Sequence, residues 1–190
     1  MKLSLIRDLK SLRLVLKDPE AVGPDPAYWV FSEIGGLWNN ITLIAPGNYN
    51  GEFPKTFGHY HETHVNEKIH VIEGKGVMLL QKRLVENGNP ISEKIEEVIC
   101  IKAKAGDEII VPFEYGHSWY NTSDEPLILF DDWSAGHVPG DYKEIGRLQG
   151  MAYYITDNNG IDVLKNSNYT IVPQIKWLTV EEFSKRRLPK

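Results

Sequence analysis

Short β-prone runs, punctuated at close intervals by glycine and proline turns, restrict what this chain can fold into more than any other feature. Tyr28–Phe31, Asn40–Ile44 and Lys68–Ile72 are rich in β-branched and aromatic residues. Val77–Gln81 follows the turn Gly74-Lys75-Gly76 and is expected to pair back on the strand that contains Glu67. Asn87-Gly88-Asn89-Pro90 reads as a hairpin tip, extended by the charged segment before Val98–Ile101. Ala105-Gly106-Asp107 turns into Glu108–Pro112, Tyr115-Gly116 into His117–Asn121, and Ser123–Pro126 into Leu127–Phe130. Many short strands at regular spacing predict an all-β sandwich or barrel. Helical signals are few. Thr179-Val180-Glu181-Glu182 is a capping-box pattern that predicts a short C-terminal helix ending near Arg187. Leucines at 3, 5, 9, 12, 14 and 16 serve strand and helix periods each in part, so residues 3–16 are open to both readings.

The 190 residues suffice for one sizeable core, and neither a repeat nor a low-complexity linker divides them, so one domain over 1–190 is expected. A net charge of −5 argues against a nucleic-acid partner or an anionic membrane surface. No stretch approaches the roughly 20 apolar residues of a membrane span. Arg7, Asp8 and Lys10 interrupt any signal-peptide core, and the lone Cys100 suits a reducing compartment, which together predict a cytoplasmic protein.

Four of the six histidines fall within twelve positions: His59, His61, His64 and His70. In a strand, side chains at i and i+2 share a face, so His59 and His61 can hold one cation between them. Glu67 can join them from the next strand and His117 from a hairpin further on. Three imidazoles and one carboxylate suit a first-row divalent ion with positions left open for water or substrate. His64 reads as an exposed loop residue, and His70 has the wrong strand parity to face the ion. Glu62 is a rival carboxylate, but it directly follows His61 and would point to the opposite face.

The string Gly58-His59-Tyr60-His61, then Glu67, then Gly74, with His117 after Pro112, resembles the two metal motifs of the cupin superfamily. That resemblance implies a jelly-roll β-barrel, here with an N-terminal extension, a core over about 28–155 and a short C-terminal helix. From Tyr28 to Tyr154 the chain is similar to the archaeal-type cupin phosphoglucose isomerases. The matching stretches are Thr42–Gly47, Thr56–His61, Gly74–Gln81, Val111-Pro112 with His117, Asp124-Glu125-Pro126, and Gly136-His137 followed by Asp141-Tyr142. The resemblance implies His59, His61, Glu67 and His117 as ligands of one divalent metal ion per subunit, with Fe(II) first and Mn(II), Ni(II), Zn(II) or Co(II) as other candidates. It implies phosphate contacts from Thr42, Thr56, the Gly58 backbone, His137 and Tyr142, and a sugar contact from Tyr28. A homodimer is expected on the same ground. The family's tyrosine two residues after the glutamate is Ile69 here, and three residues separate His137 from Asp141.

The implied reaction interconverts glucose 6-phosphate and fructose 6-phosphate by moving a hydrogen between C1 and C2. Glu67 would be the base of a cis-enediol route, and a metal-assisted hydride shift is the other route open. Three further readings stay open at this point. They are another phosphosugar isomerase, for instance of mannose 6-phosphate, a non-catalytic metal-dependent sugar-phosphate-binding domain, and a cupin oxygenase on Fe(II).

Overall fold

In a computed structural model the described residues are 1–61, 63–134 and 139–186, of which 139 and 140 are described by backbone alone. Twelve strands are assigned: β1 Lys2–Arg7, β2 Tyr28–Ser32, β3 Asn40–Ile44, β4 Glu67–Glu73, β5 Lys75–Glu86, β6 Asn89–Lys104, β7 Glu108–Val111, β8 Tyr115–Asn121, β9 Leu127–Asp131, β10 Tyr153–Asp157, β11 Ile161–Lys165 and β12 Lys176–Leu178. The helices are α1 Leu9–Leu12, α2 Pro139–Arg147 and α3 Val180–Ser184. One sheet runs β1-β2-β3-β9-β4-β7, a second runs β12-β6-β5-β8, and β10 and β11 pair as a separate antiparallel hairpin. The pairs β3-β9, β9-β4, β4-β7, β5-β8 and β12-β6 join strands that are not consecutive in sequence, the crossover order of a jelly roll. The fold expected from the turn pattern is the fold observed.

Residues 3–16 turn out to be both things their leucines allowed. β1 pairs antiparallel with β2, Arg7 opposite Tyr28, and the chain then enters α1 and a single 3-10 turn over Arg13–Val15. Asp8 caps α1 by accepting the Ser11 N–H at 2.7 Å. The buried side chains Leu9, Leu12 and Val15 close over the core, so this segment adds an edge strand and then a plug.

The expectation that β5 pairs with the Glu67 strand is corrected. β5 pairs with β6 and β8, whereas β4 pairs with β7 and β9. Gly74 takes φ +81°, and a Cβ there would stand 2.7 Å from the Pro126 carbonyl. The turn therefore carries the chain from one sheet to the other instead of reversing it in plane. Gly76 to Gln81 are all buried, because β5 is covered on both faces, as a continuous apolar run requires. The Gln81 amide donates to the Tyr60 hydroxyl at 2.6 Å and accepts the Ala152 N–H at 2.7 Å, tying β5 to the chain beyond α2. Asn87 (φ 52°) and Gly88 (φ 78°) form the tip of the β5–β6 hairpin as expected. Tyr115-Gly116 is already strand; the turn precedes it.

The C-terminal segment returns to lay β12 parallel on β6, Trp177 opposite Cys100. The capping box of α3 is present, with Thr179 and Glu182 bonded reciprocally, and the helix ends at Ser184. Glu97 of β6 anchors this segment. It accepts Lys176 Nζ at 2.7 Å, Arg186 at 2.9 and 3.1 Å, and the Tyr115 hydroxyl. Burial alone would raise its carboxyl, but these donors outweigh it and hold the group at about 2. A depressed folded pKa stabilises fully above the unfolded carboxyl value, and that contribution is lost as pH falls through about 2. Glu97→Gln is expected to cost roughly 1–2 kcal/mol at pH 7. Urea midpoints of variant and parent should converge as pH falls from about 4 toward 2.

Candidate metal centre and its cavity

The segment between β3 and β4 runs beside β8 without joining it in a full ladder. Two isolated bridges pin it, Lys55 to Tyr120 and His59 to His117. His59 and His117 exchange both backbone bonds, at 2.9 and 3.1 Å, and the Thr56 N–H reaches the Trp119 carbonyl at 2.9 Å. Between the two bridges Gly58 takes φ +81°, a left-handed kink only glycine adopts freely. The continuous strand expected for His59 and His61 is therefore an extended, kinked segment, but it still turns both imidazoles inward.

The four expected donors converge. His59 Nε2 lies 2.9 Å from His61 Nε2, and Glu67 Oε2 lies 3.1 Å from His117 Nε2 and 3.6 Å from His61 Nε2. One ligand atom from each residue falls within 4.8 Å of all the others. Ligand atoms held at about 2.0–2.2 Å from one ion stand about 3–3.5 Å apart, so the spacing and the nitrogen and oxygen donor set both fit a divalent metal. Glu67 opens β4 in one sheet, His117 lies on β8 in the other, and the two histidines come from the segment between, so the centre forms only when the sheets pack. His61, Glu67 and His117 are buried. Burial pushes the His117 imidazole down to about 4, which keeps it neutral and able to offer a lone pair at neutral pH. Trp133 stacks on His61 with ring centroids 3.7 Å apart and planes 10° from parallel, fixing the ring's orientation. His70 stacks on Trp38 away from the cluster, and exposed His64 stacks on Phe113, as their positions in sequence implied. Glu62 lies outside the described residues.

His59, Glu67 and His117 open onto a cavity of about 460 Å³ between the sheets. Tyr28, Thr42, Thr56, Gly58 and Tyr142 line it too, and His137 lies outside the described residues. Ile69 lies in the cavity wall as its strand parity requires. Tyr142 is carried by α2, a helix whose Pro139, Gly140 and Gly146 give little helical signal in sequence. Its ring meets Phe57 edge-on at 5.7 Å and lies 5.5 Å from His59. Burial pushes its phenol up, so it remains a neutral donor.

Two lining residues carry no sequence signal. Arg7, at the end of β1, donates from Nε to the Tyr28 hydroxyl at 3.2 Å, and its guanidinium lies 5.1 Å from the Phe57 ring centre and 5.9 Å from that of Tyr142. A cation thus enters the cavity at the end lined by Tyr142 and Phe57, from the N-terminal extension. Asp131, at the end of β9, lies opposite Ile69 of β4. Burial, and then the neighbouring Glu67 charge, push its carboxyl up to about 7.

The sequence matches the family model described as glucose-6-phosphate isomerase (GPI) over residues 32–172. A glucose-6-phosphate isomerase of Thermococcus onnurineus is 32% identical over 155 residues, covering 75% of this chain and 76% of that protein. A glucose-6-phosphate isomerase of Thermococcus gammatolerans is 28% identical over 181 residues, covering 88% of each. Among solved structures, the Drosophila melanogaster CENP-C cupin domain superposes with a TM-score of 0.40 at 14% identity, covering 61% of this chain and 77% of that one.

Proposed function

Because the chain belongs to the glucose-6-phosphate isomerase family, we propose that it interconverts glucose 6-phosphate and fructose 6-phosphate. The observation that supports this most is the convergence of three imidazoles and a carboxylate, with His59, Glu67 and His117 of that set lining a cavity sized for a small ligand and a cation and hydroxyl donors elsewhere on its lining. His59, His61, Glu67 and His117 would hold one divalent ion per subunit, Fe(II) first among the candidates, since such donor sets accept several metals and availability selects. When bound, the ion would supply Lewis-acid polarisation of the sugar's carbonyl oxygen. Glu67 would move a proton between C1 and C2. Tyr28 would orient the sugar from the β2 wall. The protein would act as a homodimer, in keeping with the family resemblance.

The phosphate would lie at the Arg7 end. There Arg7, Thr42, Thr56, Tyr142 and the Gly58 N–H supply charge-assisted bonds to a dianion. His137 belongs to the same set by resemblance. Thr56 Oγ1 accepts the Trp119 N–H at 3.0 Å and lies 3.3 Å from the Ser118 hydroxyl, so its position on the cavity wall is fixed before a ligand arrives. Thr56→Val and Arg7→Met are each expected to raise KM for fructose 6-phosphate by roughly 10-fold or more, with metal content at the parent level. A KM unchanged in both variants would move the phosphate elsewhere in the cavity.

The reading is tested by following glucose 6-phosphate formation from fructose 6-phosphate by the purified, metal-loaded protein. Turnover supports it. A folded, loaded protein that binds sugar phosphate without turnover contradicts it in favour of a binding domain, and turnover of mannose 6-phosphate alone contradicts it in favour of another isomerase.

A further inference from the structure

Asp131 is a buried carboxyl group with half of its hydrogen-bonding capacity uncommitted. Its Oδ1 accepts the Asn40 side-chain N–H at 2.6 Å and the Trp133 backbone N–H at 3.1 Å. Both bonds end on Oδ1, and no hydrogen bond reaches Oδ2 among the described residues. The side chain belongs to the wall of the cavity that also holds Glu67, His59 and His117. Directly across the β4–β9 pair stands Ile69, which contributes no polar atom. Cross-strand partners share a face with their Cβ atoms about 4.5–5.5 Å apart, so of this β4–β9 pair only Asp131 offers the cavity a polar group. Asn40, opposite it on β3, also lines the cavity and already donates to Oδ1.

We propose that Asp131 is a specificity-determining residue that receives a sugar hydroxyl on Oδ2, at the metal end of the cavity. The inference rests on the sugar-phosphate reading above and adds the residue that tells one sugar from another. A buried carboxyl with a spare acceptor is costly unless a ligand or water completes it. The two donors on Oδ1 hold the plane of the group, so Oδ2 is presented in one orientation. Such preorganised acceptors discriminate strongly, because a ligand lacking the hydroxyl leaves them unsatisfied. The bland alternative is that Asp131 merely fixes Trp133, and through it the His61 ring.

Asp131→Asn separates the two. The asparagine oxygen keeps the bonds from Asn40 and Trp133, so the stack on His61 and the metal content should stay at parent level. Its amide replaces Oδ2 and donates where an acceptor is required. Calorimetric titration of metal-loaded protein with glucose 6-phosphate should then show affinity lower by about 10- to 100-fold, while inorganic phosphate binds as to the parent. The same titration with 2-, 3- and 4-deoxyglucose 6-phosphate identifies the partner. One of the three should bind the parent weakly yet bind Asp131→Asn and Asp131→Ala no worse than glucose 6-phosphate does.

Parent-like binding of every sugar by Asp131→Asn overturns the proposal, as does an equal loss for all deoxy analogues in parent and variants. A parent that binds these sugars without isomerising them defeats the proposed reaction and leaves the Asp131 assignment standing.

Discussion

His61→Ala is expected to empty the metal centre and abolish turnover together, with the fold intact. His61 supplies one of four converging donors, 2.9 Å from the nitrogen of His59 and 3.6 Å from the Glu67 carboxylate. Removing a group that only orients a ligand typically costs 10- to 100-fold in metal affinity, so losing a ligand itself should cost more than about 100-fold. If the ion's contribution to the barrier is several kcal/mol, kcat/KM falls by at least about 10³ at trace metal. The fold should survive because the imidazole packs against Trp133 and the other candidate ligands, and His61 lies in none of the sheet strands. Elemental analysis of dialysed parent and variant, with circular dichroism as the check on folding, measures it. Equal metal content in the two proteins would remove His61 from the ligand set.

Lys55→Met is expected to be strongly destabilising, although the residue lies outside the metal centre. Lys55 is buried, 1% exposed, and its ammonium lies 2.6 Å from the Glu52 carboxylate and bonds the Val15 carbonyl. Desolvation pulls its pKa down while Glu52 pulls it up, and the former prevails. Glu52 also accepts the Lys17 N–H at 2.7 Å, so the pair joins the N-terminal plug to the strand-like segment that carries the site. Methionine fills the space but leaves Glu52 buried and without its cation, a change that costs about 3–5 kcal/mol. For a chain of this length that is a fall in Tm on the order of 10 °C. The adjoining Thr56 should shift with it, raising KM as well. Adding Glu52→Gln to Lys55→Met should recover part of the stability, because no charge then remains uncompensated. A Tm within 2–3 °C of the parent, about the shift of 1 kcal/mol, would show that the pair is not the anchor described.

The parts of this molecule legible in sequence are those whose chemistry admits few residue types. A metal wants imidazole and carboxylate, so His59, His61, Glu67 and His117 announced themselves, and period-2 parity was enough to set His70 aside. Turn chemistry was legible for the same reason, since Asn87-Gly88 and the Thr179–Glu182 capping box suit few other conformations. Features that depend on packing between distant segments were not. Gly74 reads locally as a hairpin turn, and only the proximity of Pro126 shows that the chain must leave the sheet there. The leucines of residues 3–16 fit two periods because the segment forms two elements in succession. Arg7 and Asp131 sit at strand ends, where charged residues ordinarily face water, and nothing nearby in sequence tells that each strand ends on the cavity. α2 leaves little trace in sequence because tertiary packing around the buried Ile145 and Leu148 outweighs the low helix propensity of Gly140 and Gly146.

The measurement that bears most directly on the whole account is fructose 6-phosphate turnover by one preparation, assayed after chelation and again after stepwise return of Fe(II) or Mn(II). Activity lost on chelation and restored in proportion to bound metal, reaching its plateau at one ion per chain, is the result the account predicts. Full turnover by protein shown to be metal-free would contradict it, because the converged histidines and Glu67 would then have no part in the chemistry.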